Sequence, residues 1–163
     1  MAFVDLNREN GRDITIADSL AYERYKFILQ QIHALNENVY RFLAIYQSLT
    51  TVLAGAGLSI FVGYRKWGVQ PDVARTGLLA AVALATLIAL FAVLLIVVGI
   101  LSWVDYRREE CELADQFVRP GFRKPPKVAN FFRWYETYII AFILASVVFL
   151  WISVIVIFLP KIE

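Results

Sequence analysis

No aspartate, glutamate, lysine, arginine or histidine falls within residues 42–64, 77–103 or 137–159. A proton-coupled transporter, a voltage sensor and a charged selectivity ring all need ionisable groups at membrane depth, so this absence argues against each. Cysteine and histidine are as scarce. His33 and Cys111 stand alone and far apart in sequence, which excludes a His/Cys metal cage within one subunit and argues against a Cys–His nucleophile pair. A single cysteine also rules out an internal disulfide framework and suits a reducing face. Gly55 and Gly57 lie inside an apolar run with no strand before them, so they form no phosphate loop. Glu109, Glu110, Glu112 and Asp115 share a mixed-charge stretch that implies no convergent pocket. The expectation is therefore of no enzyme and no cofactor.

What the chain does have is apolar length. Of its 163 residues 60% are hydrophobic, with a mean hydropathy of +0.61. The three uncharged runs hold 23, 27 and 23 residues, each above the roughly 18 needed for a spanning candidate. A chain this short cannot wrap three all-round apolar helices in polar protein. The first run begins only after about 40 polar-rich residues, which is not the pattern of a secretory signal. The fold class expected is all-α: an integral membrane protein with three transmembrane helices, a cytoplasmic amino-terminal stalk helix and a cytoplasmic helical elbow. Its parts are a flexible segment over 1–17, the stalk over 18–41, spans over 42–64, 77–103 and 137–159, and the elbow over 104–136.

The stalk and first span read as one helix. Ala21, Tyr25, Ile28, Ile32, Leu35, Val39 and Phe42 alternate at intervals of four and three, which keeps one stripe facing a neighbouring helix. No glycine or proline separates stalk from span. Asp18 or Ser19 is a reasonable N-cap. Tyr22 and Leu29 widen the stripe beyond a two-stranded seam and favour a bundle. The same periodicity equally fits a helix folded back on the chain's own second connection. His33, beside the seam, reads as a packed or solvated ring before a pH switch.

Basic residues set the expected orientation. With the amino terminus inside, twelve lie in the cytoplasm and four outside, so the positive-inside rule favours N-in and C-out. Tyr64 and Trp67 would mark the outer edge, and Trp103, Tyr106, Trp134 and Tyr135 the inner one. Trp151 falls inside the third span, where the aromatic belt does not explain it. The outer face would be nearly bare, with no extracellular ligand.

Three sets of residues are candidates for a role. Thr51, Gly55, Ser59 and Gly63 recur every four residues in the first span, and Gly77, Ala81, Ala85 and Ala89 in the second. Small residues at that interval let helices approach closely in lipid, either between these two spans or between subunits. Gln47, Ser48 and Thr51, with Thr50, could line an aqueous vestibule or hydrogen-bond neighbouring helices. From Arg119 to Arg133 five basic residues occur without an acid: Arg119, Arg123, Lys124, Lys127 and Arg133. Phe122, Phe131, Phe132, Trp134 and Tyr135 are interleaved with or follow them, and Pro125-Pro126 sets a turn before a short amphipathic helix from Lys127. Such a segment suits anionic lipid headgroups, although a nucleotide or RNA would use the same residue types.

Tyr22, Arg24 and Tyr25, then Leu35-Asn36-Glu37, then Arg41 and Phe42 form a stalk-to-span entry. Over about 80 residues this layout resembles small prokaryotic membrane effectors of phage-defence loci, the SLATT-like and RipA-like groups. That resemblance implies a homo-oligomer in the bacterial inner membrane that disturbs the bilayer on a signal from a nucleotide or a cytoplasmic protein. SLATT-like chains have two spans where three are read here, and no nucleotide-binding residue carries over. The expected function is thus a homo-oligomeric pore-forming or pore-gating protein. The alternative is a non-conducting scaffold that holds a cytoplasmic partner. In a Cys111→Ser background, an impermeant maleimide should label a Lys66→Cys variant in intact cells and a Lys124→Cys variant only after permeabilisation; the reverse pattern would invert the orientation.

Overall fold

The computed structural model describes residues 16–126, 132 and 134–162. The segment 1–15, the expected amphipathic helix from Lys127, and Arg133 lie outside the described residues. Helix α1 runs from Ile16 to Gly63, α2 from Pro71 to Phe117 and α3 from Tyr135 to Ile152. Each contains a stretch long and apolar enough to cross a membrane. At about 1.5 Å per residue, α1 and α2 are each about 70 Å long, roughly twice a hydrocarbon core.

Helices this long are unbroken because nothing in them breaks. Proline occurs in α1 not at all and in α2 only at its first position, Pro71, where its missing N–H costs no hydrogen bond. Asp18 sits in the first turn of α1 and is not its N-cap, since the helix is already formed at Ile16. The negative charge there faces the positive end of the helix dipole. Between α1 and α2 the chain reverses tightly: Gly68, at a φ of 67°, takes the left-handed conformation that favours glycine.

The reversal makes α1 and α2 an antiparallel hairpin held in one register throughout. Gly57 meets Leu78 near the loop, and Arg24 meets Glu109 near the far end. On α2 the covered stripe is Ala74, Leu78, Val82, Ala85, Ala89, Ala92, Ile96, Ile100 and Val104. The alanines in it allow close backbone approach. On α1, Ile28, Ile32, Val39 and Tyr46 are buried. The stalk stripe therefore rests on the continuation of α2, within one chain.

Helix α3 lies along the apolar half of the hairpin only. Near the stalk, Tyr135 stacks on Tyr40 at 5.7 Å, and Trp134 meets Trp103 edge-on at 5.7 Å. At its far end the helix widens into a π turn over Ser153–Phe158, followed by a 3-10 turn over Leu159–Lys161. There Phe158 packs on Phe61, and Arg75 donates to the Ile162 carbonyl at 2.5 Å.

Polar groups inside the bundle are linked in short chains. Ser146 donates to the Ile143 carbonyl at 2.7 Å, which leaves the Tyr46 hydroxyl as the donor across to Ser146 at 2.5 Å. Trp151 Nε1 donates to Thr86 Oγ1 at 3.0 Å, and Thr86 to the Val82 carbonyl at 2.8 Å. Each chain joins α3 to the hairpin, where unsatisfied polar groups would be costly in lipid. This accounts for Trp151.

Glycine positions test the packing. A Cβ on Gly57 would stand 3.1 Å from Leu78 Cδ1, whereas one on Gly55 would meet nothing within 4 Å. Gly57→Leu should therefore destabilise the folded subunit by about 1–3 kcal/mol and Gly55→Leu should not, as read from thermal unfolding in detergent.

Candidate functional site

At the stalk end, one carboxylate is fully enclosed. Glu110 has no exposed surface, because its position on α2 turns it toward α1 beside Cys111 and Ala114. Arg107, one turn earlier, pairs with its Oε2. Arg123, carried back by the turn at Gly121, reaches Oε1 at 2.7 Å. The Tyr25 hydroxyl approaches the same oxygen at 3.5 Å. Arg107 and Arg123 keep side-chain exposures of 30% and 41%, so only the acid is withdrawn from water. Removing such a charge from water is costly unless it is paired and hydrogen-bonded.

The neighbouring acids are used differently. Glu109 takes two bonds from Arg24, at 2.6 and 2.9 Å. This pair is exposed and fixes register more than it stabilises. Asp115 accepts from the Gly121 backbone N–H at 2.9 Å, which holds the turn after α2. Burial, and then the Glu110 charge, push the Cys111 thiol above its ordinary range. It is held as the unreactive thiol rather than the thiolate. His33 is exposed, 3.3 Å from Glu37.

Around Arg107 the stalk-side ends of the helices leave two clefts. One, about 310 Å³, is lined by Trp103, Arg107, Cys111, Arg123, Lys124 and Pro126. The other, about 330 Å³, lies across Trp103 and includes Ile32, Asn36, Trp134 and Glu136. The Arg107 guanidinium sits 5.6 Å from the Trp103 ring centre. Of the elbow residues singled out from the sequence, Arg123 and Lys124 line the first cleft and Trp134 the second. Arg119 stands apart, over Phe122 at 5.9 Å. Lys127 and Arg133 lie outside the described residues.

The α1 candidates divide between two faces. Ile28, Ile32 and Val39 are buried, Tyr25 and Leu35 half-buried. Gln47, Ser48, Thr51, Gly55 and Ser59 are all exposed. At about 100° per residue Ser48, Thr51, Gly55 and Ser59 lie about 130–170° around α1 from the Tyr46 and Gly57 face that meets α2, and Gln47 about 90°. Ser59 donates to the Gly55 carbonyl at 2.8 Å. Gly63 is covered by Trp67 instead. In α2, Ala85 and Ala89 are buried, and Gly77 and Ala81 half-buried.

Glu110, Arg107 and Trp103 were not among the residues marked as a site from sequence. Periodicity could have separated Glu110 from the exposed acids beside it, but Arg123 reaches it through a turn that spacing does not encode. No group of three or more His, Cys, Asp or Glu fit to hold a metal occurs among the described residues.

Because the acid is the buried partner, the two sides of the cluster are unequal. Removing both Arg107 and Arg123 should cost about 3–5 kcal/mol by stranding a carboxylate. Glu110→Ala should cost less, since both arginines can turn to water; thermal unfolding in detergent checks the order. No family model, no curated protein and no solved structure matches the chain.

Proposed function

We propose that the protein is a non-enzymatic, multi-pass protein of the bacterial inner membrane that assembles from several copies through the outward face of α1. In this reading its amino terminus and stalk lie in the cytoplasm and its carboxyl terminus outside. Gln47, Ser48 and Thr51 then line or gate the passage between copies. The observation that supports this reading is the direction of the small, hydrogen-bonding face of α1: it points away from its own bundle, within a stretch long and apolar enough to cross a membrane. Small and polar side chains on spans ordinarily meet other helices. A single subunit offers no evident aqueous route, since cavities of about 330 and 590 Å³ at this depth have almost wholly apolar walls. Conduction would need several copies. Following the resemblance of its stalk-to-span entry, the assembly is an antiphage-defence effector released by a nucleotide or cytoplasmic protein.

A second reading has its own support. Leu20, Tyr22 and Phe27 on the stalk, and Phe117 and Val118 at the end of α2, are exposed, which suits a scaffold that docks a cytoplasmic partner. The two readings separate in lipid discs and vesicles. Assembly through α1 predicts symmetric multimers, disulfide crosslinking of a Thr51→Cys variant in a Cys111→Ser background, and dye leakage. Gly55→Leu should abolish all three while the subunit's melting temperature holds. Monomeric discs and sealed vesicles would leave the scaffold.

A further inference from the structure

We infer that the cleft formed by Trp103, Arg107, Arg123 and Lys124 binds the phosphate of an anionic membrane lipid, with Glu110 as the group that aims the arginines into it. Glu110 uses one guanidinium nitrogen of each arginine. Arginine has five N–H donors in a fixed fork, so donors remain on both for a second anion. Lys124 adds a third cation and has no carboxylate partner among the described residues. Three cations thus face one enclosed carboxylate, and the cleft keeps an excess of positive charge. Glu136 lines the neighbouring cleft, which shares Trp103 and Arg107 with this one, and does not line the cleft of Lys124 itself.

The cleft has room for a phosphate, and its position points to a lipid as the source. The cleft volume of about 310 Å³ is about ten times the ~30 Å³ share of one water molecule, enough for a phosphate with a small alcohol. Trp103 and Trp134, in edge contact, stand where the uncharged runs of α2 and α3 end, and paired indoles at such a level mark the headgroup zone. A phosphate held at this depth belongs most simply to a lipid whose chains enter the adjacent bilayer. Every residue of the cleft comes from one subunit, so the inference stands independently of assembly through α1.

The test compares lipid retained by the full chain after release from vesicles of equal parts phosphatidylcholine and phosphatidylglycerol, read by native mass spectrometry. The wild-type chain should retain phosphatidylglycerol over phosphatidylcholine. Lys124→Ala should reduce that preference about fivefold, and Arg119→Ala, which alters a cation outside the cleft, should leave it within about twofold. The double change Arg107→Gln with Glu110→Gln removes a buried pair without stranding a charge, and should also reduce it. If that variant does not fold, the contrast between Lys124 and Arg119 decides. Equal retention of the two lipids, or equal losses from Lys124→Ala and Arg119→Ala, would overturn the site in favour of diffuse surface charge. Displacement of the bound lipid by millimolar inorganic phosphate would overturn the lipid source and assign the cleft to a soluble phosphate compound. Multimer size, read in the same spectra, keeps failure of this site distinct from failure of assembly.

Discussion

The antiparallel contact of α1 with α2, kept in a single register from the Gly68 turn to Glu110, is the constraint on which the rest of the structure depends. Near the loop it is made by Gly57 against Leu78, and along its middle by an alanine-rich stripe against Val39 and Tyr46. A slip of one residue would rotate Glu110 about 100° away from Tyr25 and out from beneath α1. The buried carboxylate would then meet solvent or apolar side chains. Register and electrostatics therefore support each other: packing places the acid, and the acid tolerates only that packing.

That contact also changes what the stalk stripe means. Apolar positions at intervals of four and three announce a covered helix face without naming the cover. Here α2 supplies it, so Ile28 and Ile32 need no second copy of the chain. The face of α1 that its own bundle leaves open lies instead in the apolar half, where Thr51, Gly55 and Ser59 are exposed.

The three long apolar helices were legible because each contains an uncharged run, and no proline interrupts α1 or the interior of α2. Pairings between distant positions were not. Trp151 looked anomalous because its partner, Thr86, is 65 residues away, and belt statistics describe levels rather than contacts. Tyr46 and Ser146 carry no mark that they meet. In the elbow, charge pattern drew together Arg119, Arg123 and Lys124 as one basic segment. The fold separates them, because Gly121 turns the chain between the first and the other two.

In α1 the segment from Tyr25, beside the Glu110 cluster, to the outward-facing Thr51 contains neither proline nor glycine, and kinks arise chiefly at such residues. With no joint to absorb a bend and with α2 alongside in fixed register, this stretch is a stiff strut that holds the Glu110 cluster and Thr51 about 40 Å apart.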